Sequence, residues 1–171
     1  INRLCTRFSV VVASQDWHPE DHVSFASNHP GKQVLDVVEV EGQPQVLWPD
    51  HCVAGSWGAD FHPGLETRFF RMIIRKGTDP RVDSYSAFRD NRKDRVTGLA
   101  GFLRELGVTA ATVVGLATDY CVAATALDAV ELGFGARVFL PACRAVGAPP
   151  GHTEKTLERL RQAGVTLIEN E

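Results

Sequence analysis

Four side chains of different chemistry follow directly on runs that read as buried strands: Asp16 and His18 after FSVVVAS, Lys76 at the end of RMIIRK, and Cys121 after ATVVGL. In an open α/β sheet, ligands bind outside the carboxyl ends of the strands, so these are the positions where chemistry is expected. Cys121 falls where a helix begins. A thiol there meets the partial positive charge of the first backbone N–H groups, which favours the nucleophilic thiolate; the alternative is a buried structural cysteine. Lys76 brought beside a thiol would stabilise the thiolate and orient its attack, although a lysine at a strand end is commonly a surface cation. In the turn ATDY, the backbone N–H groups of Ala117 and Cys121 are the candidates to converge on one oxygen and hold a tetrahedral oxyanion.

Asp16 and His18 are two apart on extended backbone and project to the same side, as two ligands of one metal would. His22 lies four residues further on, and His51, in WPDHC, is a further ligand that a long loop could deliver. One carboxylate with two or three imidazoles suits Zn, Fe or Mn. The competing reading has Asp16 and His18 capping a helix near Pro19, with His51 on a surface loop. Trp48 and Trp17 flank these residues and offer walls for a flat aromatic ligand, or seals for the loop. Cys52 reads as a small buried residue. His29, His62 and His152 read as surface or capping residues.

The elements that must position these groups alternate. Strands are expected at 8–14, 71–76, 111–116, 136–142 and 165–170, with a short one at 36–40. Helices are expected at 94–107, 119–132 and 152–164, the first and last with an apolar face and closed by glycine. Residues 1–7 read as the end of a helix. This order predicts an α/β fold, three-layer α/β/α with a central, mostly parallel sheet. Residues 26–65 are irregular and rich in Gly and Pro, and so long a loop inside a compact domain usually carries function.

A chain of 171 residues fits one domain, 1–171, able to bury roughly two-thirds of its unfolded surface. The four cysteines are widely spaced and form no C-x-x-C pair, which points to a reducing cytoplasm. A net charge of −3 gives no footprint for nucleic acid. No apolar run approaches the ~20 residues that span a bilayer.

QDWHPEDHVSFA, WPDHCV, IIRKGTDP, VDSYSAF and above all GLATDYCV resemble, in order and over nearly the whole chain, the nicotinamidase branch of the isochorismatase-like cysteine hydrolases. The resemblance implies Cys121 as nucleophile, Lys76 as its partner, and Ala117 and Cys121 as oxyanion amides, with a cis bond between Ala117 and Thr118. It implies metal ligands at Asp16, His18 and His51, a fourth, more variable one at His22, and Trp48 against the substrate ring. The domain would be isochorismatase-like, with Rossmann-like topology and the metal-binding segment in loop 15–66. The implied reaction converts nicotinamide to nicotinate and ammonia through a thioester, in NAD salvage, with the metal holding the pyridine nitrogen; pyrazinamide is commonly accepted too. The family opens on a strand in a D-x-Q-x-D-F pattern whose aspartate shuttles protons. The chain starts beyond that pattern, so the first strand is absent from it and an N-terminally incomplete sequence is expected.

Three alternatives stand beside this reading. A related amidohydrolase would act on a carbamoyl or ureido compound without the metal set. A non-catalytic fragment would lack the proton shuttle. A purely metal-dependent hydrolase would not need Cys121. The small-molecule substrate is the expected partner, with no nucleic acid or membrane, and a homo-oligomer is compatible with all of this.

Overall fold

The computed structural model describes residues 1–170 in two compact units, one formed by Ile1–Ser84 with Asp90–Arg95 and the other by Tyr85–Arg89 with Val96 onward.

In the first unit a short helix α1 (Asn2–Cys5) precedes β1 (Val12–Asp16), which pairs in parallel with β4 (Met72–Lys76). Their register sets Asp16 beside Lys76 at the carboxyl ends of both strands. Parallel neighbours in register point their side chains the same way, so this one pairing brings a carboxylate to an ammonium. β1 starts four residues later than the apolar run suggests. The run predicts a strand from Phe8, but Phe8 is exposed and nothing pairs with it in the ladder.

Between β1 and β4 runs the long loop, stitched at three places. A hairpin of β2 (Val37–Val40) and β3 (Gln43–Val46) turns through Glu41 and Gly42, both at positive φ, as the two-residue turns that match strand twist require. Phe25 bridges Trp48, with the Trp48 amide donating to Ser24 at 2.7 Å and the Ala26 amide to Trp48 at 2.9 Å. His18 bridges Val53, its amide donating to the Cys52 carbonyl at 3.0 Å while its own carbonyl accepts the Ala54 amide at 2.8 Å. This last bridge extends β1 by a borrowed strand segment and carries His51 to the sheet end. Cys52 is only half-buried and sits at φ 48°, so the segment is kinked there rather than extended as expected.

The second unit is a parallel sheet in the order β5 (Ala110–Leu116), β6 (Gly135–Arg144), β7 (Thr166–Ile168). Helix α2 (Leu99–Glu105) precedes it, α3 (Ala123–Glu131) links β5 to β6, and α4 (His152–Gln162) links β6 to β7. Parallel strands need such crossovers, and the sequence supplies helices of the right period between them. The core holds Leu99, Leu103, Val138, Phe139 and Leu160, and α3 buries Ala123, Ala126 and Ala129, small residues that let the helix lie close. The helix expected from 94 begins only at 99. Gly98 takes φ 90°, which no helix accommodates, and leaves Val96 exposed before it. The helix expected from 119 likewise opens later, because Thr118–Val122 form a wide π-type turn.

Candidate active site

The metal candidates lie in the first unit. Ligand atoms of Asp16, His18 and His51 all fall within 4.8 Å of one another. His18 Nδ1 lies 2.9 Å from the Gly77 carbonyl, and His51 Nδ1 lies 2.8 Å from the Pro49 carbonyl. A carbonyl only accepts, so each Nδ1 carries the proton and each Nε2 keeps its lone pair, the tautomer in which metal-bound histidines are held. His18 Nε2 stands 3.7 Å from Asp16 Oδ2, too far for a hydrogen bond. Two donors of one cation, each at about 2.0–2.2 Å from it, sit at about such a spacing. The donor set thus fits a divalent transition metal. No helix starts near Pro19, so the capping alternative for Asp16 and His18 has no structure to serve.

Lys76 is 5% exposed. Its ammonium pairs with Asp16 Oδ1 and donates to the Ser84 carbonyl at 2.8 Å. It is therefore a buried, committed cation and not a surface lysine. Burial pushes the Asp16 carboxyl up, but Lys76 and the contact with His18 outweigh it and hold the group far below the usual carboxylate range. Burial likewise pushes His18 down, and the nearby Asp16 carboxylate, with Asp83 behind, brings it out above its ordinary value. This corner of the unit is built to hold positive charge.

His22 is set differently. It is fully buried, with its ring centroid 4.3 Å from that of His18, and its ligand atom groups with His18 and Asp83 rather than with Asp16 and His51. Its Nδ1 meets Ser24 Oγ at 2.7 Å, and its Nε2 has no hydrogen-bond partner among the described residues. Burial pushes it down to about 4, so it is neutral at ordinary pH.

Phe25 forms the floor, fully buried with its ring 5.6–5.7 Å from those of His18, His22 and His51. Phe25→Ala is expected to destabilise the protein by about 3–5 kcal/mol, read from urea unfolding of the two proteins. A loss below about 1 kcal/mol would show that the histidines pack without it. Trp48 is half-buried on the strand-like segment that follows Leu47. Trp17 has one face covered by the Arg75 guanidinium, 3.5 Å from its ring centroid, so Trp48 is the better placed of the two for a ligand.

Ala117 and Cys121 lie in the second unit. The π-type turn Thr118–Val122 closes on the Ala117 carbonyl, which accepts the Tyr120 amide at 3.1 Å and the Val122 amide at 3.0 Å. Cys121 is half-buried, at the last turn before α3. The cis peptide of this stretch is Leu116–Ala117, one bond earlier than expected. Burial raises the thiols of Cys5 and Cys143, which leaves them weak nucleophiles.

Two site features carry no role in the sequence pattern. Gly77, directly after Lys76 in KGTDP, has φ 64°, and a side chain there would run into the His18 ring. Asp83 backs His22, accepting from Gln45 at 3.1 Å and the Ser84 amide at 2.7 Å. The signal for Gly77 is its Gly-Thr-Asp-Pro turn text. For Asp83 no local signal exists. His29 and His62 make local contacts, to the Val23 carbonyl and the Gly64 amide, as expected of loop residues, and His152 opens α4.

The chain is similar to proteins of known family over nearly all of its length. Residues 11–171 match the model of the isochorismatase domain. A nicotinamidase of Acinetobacter baylyi is 45% identical over 168 residues, 98% of this chain and 78% of its own length. A solved nicotinamidase/pyrazinamidase of Acinetobacter baumanii superposes with a TM-score of 0.95 at 46% identity, covering 98% of this chain and 81% of that one. A pyrazinamidase of Pyrococcus horikoshii, solved in complex with zinc, does so with a TM-score of 0.76 at 32% identity, covering 99% and 82%. A family match that runs from β1 through both units, and likeness at this level over nearly all residues, leave the α/β fold in no other class: the chain belongs to the isochorismatase family.

Proposed function

We propose that this protein is an amidohydrolase that converts nicotinamide to nicotinate and ammonia, with pyrazinamide as a second substrate. The observation that carries the reading is the likeness to nicotinamidases over 98% of the chain, in a molecule that also gathers Asp16, His18 and His51 within ligand distance. The family match, continuous over 11–171, supports reading the two units as one hydrolase domain.

In this reading Cys121 Sγ, as thiolate, attacks the carboxamide carbon. The carbonyl oxygen becomes an oxyanion, held by the amides of Ala117 and Cys121. The C–N bond breaks, ammonia leaves with the proton the thiol gave up, and a thioester remains on Cys121. Water then attacks the thioester, giving nicotinate and restoring the thiol. Lys76 stabilises negative charge at the reacting end, and Trp48 stacks on the pyridine ring. Asp16, His18 and His51 would hold a divalent metal, with Zn, Fe and Mn as the candidates, and His22 supports the set from behind His18. When bound, that metal would accept the ring nitrogen and so orient the carboxamide. The small molecule is the only partner the reading needs, in line with the expected cytoplasmic setting. None of the helices among the described residues is long and apolar enough to cross a membrane.

Ammonia release from nicotinamide, measured before and after dialysis against dipicolinate, tests the proposal. We expect turnover by the purified protein, a loss of about 100-fold or more after the metal is stripped, and recovery on adding back Zn, Mn or Fe. Full activity on a ureido compound, with no metal bound and none on nicotinamide, would move the protein to another branch of the family.

A further inference from the structure

Asp119 stands two residues before Cys121 in the wide turn and is 4% exposed. Both carboxylate oxygens are committed. Oδ1 accepts the Val146 amide at 2.9 Å, and Oδ2 accepts the Gly147 amide at 2.9 Å and the Thr153 hydroxyl at 2.9 Å. The next residue grips the same stretch: the Tyr120 hydroxyl donates to the Ala148 carbonyl at 2.7 Å, and its ring lies 4.9 Å from that of His152. Two consecutive side chains ahead of the cysteine thus tie its turn to residues 146–153, the connection from β6 into α4.

We propose that Asp119 is a positioning residue for the cysteine chemistry: its triply bonded carboxylate, braced by Tyr120, fixes the turn that presents Cys121 Sγ and the Cys121 amide. The inference rests on Cys121 being the nucleophile of the proposed reaction.

The residue type is demanded by the site. Three donors converge, and only a carboxylate accepts on both oxygens; an asparagine would turn N–H groups against N–H groups. Hydrogen bonds to an ionised acceptor are also the strong ones. Burial pushes this carboxyl up, but the Val146 and Gly147 amides and the Thr153 hydroxyl overcome it and hold it below its ordinary value. The group therefore stays charged and anchors the turn without taking up a proton. Anchoring matters because displacing a reacting atom by about 1 Å costs on the order of 100-fold in rate.

The test compares wild type, Asp119→Ala, Asp119→Asn and Thr153→Val. Two measurements are made at equal folded fraction, set from thermal melts: steady-state kinetics on nicotinamide, and alkylation of Cys121 by iodoacetamide followed by peptide mass. Asp119→Ala and Asp119→Asn are expected to lose about 100-fold in kcat, with KM nearly unchanged, and to slow alkylation at least about tenfold. Thr153→Val removes one donor of three and should lose about 2- to 10-fold in both. Wild-type kcat and alkylation in Asp119→Ala, or a change confined to KM, overturn the proposal. Should neither Asp119 variant fold, Thr153→Val decides in the same way. Should wild type leave nicotinamide untouched, the substrate assignment fails on its own, and the alkylation rates alone judge the positioning role.

Discussion

Cys121→Ala is expected to abolish ammonia release from nicotinamide, by about 10⁴-fold or more, because it removes the nucleophile of the proposed thioester route. Removing an essential nucleophile costs nearly as much as removing the catalytic unit it serves, and what remains is binding and oxyanion stabilisation. The variant should keep its fold, because Cys121 is only half-buried and alanine continues into an alanine-rich helix. Its metal content should also match wild type, since Asp16, His18 and His51 are gathered within the other unit. Cys121→Ser should be as inactive near neutral pH, because a hydroxyl does not ionise there. The measurement is ammonia production by coupled assay, with metal content determined on the same preparation. Retained turnover in Cys121→Ala would replace the thioester route with a metal-dependent hydrolysis. Alkylation of wild type should mark Cys121 ahead of Cys5 and Cys143, whose thiols burial raises.

Gly77→Ala is expected to empty the metal site while leaving Cys121 chemically competent. At φ 64° the position suits glycine, and a Cβ there would be driven against Cε1 and Nδ1 of the His18 ring. The same residue's carbonyl receives the His18 Nδ1 proton, so the methyl group displaces the ring from the partner that fixes its tautomer. Loss of such an outer contact costs about 10–100-fold in metal affinity, and here steric displacement adds to it. Metal per chain, measured by elemental analysis after dialysis, should fall to about a tenth of wild type or less, with activity falling in step. Gly31→Ala is the control. It has φ 78° with nothing within 4 Å, so it carries the backbone strain without the collision and should retain its metal. Equal metal in Gly77→Ala and wild type would show that the ring can move aside and that the pocket does not depend on it.

The elements were legible because burial writes a period into the sequence. RMIIRK, ATVVGL and ARVFLPA become β4, β5 and β6, and HTEKTLERLRQ becomes α4. Alternation of such strands and helices is enough to call for parallel pairing. Boundaries were less legible wherever a backbone angle or a missing partner decided them. Gly98 delays α2, the π-type turn delays α3, and the want of a pairing partner leaves Phe8 out of β1.

The same division runs through the site. Sequence alone determined that Asp16, His18, Lys76 and Cys121 follow strands, and that a thiol precedes a helix, because these are statements about neighbours along the chain. Only the tertiary structure decided which groups meet in the first unit. The β1–β4 register pairs Asp16 with Lys76, the His18–Val53 bridge brings in His51, and His22, four residues from His18 along the chain, is turned toward Asp83. It also showed Asp119 to be a saturated anchor, since its three donors lie 27 to 34 residues away. Convergence of this kind depends on loop paths, positive-φ turns and strand register. Those are set by the packing of the whole unit, and no local pattern of residues records them.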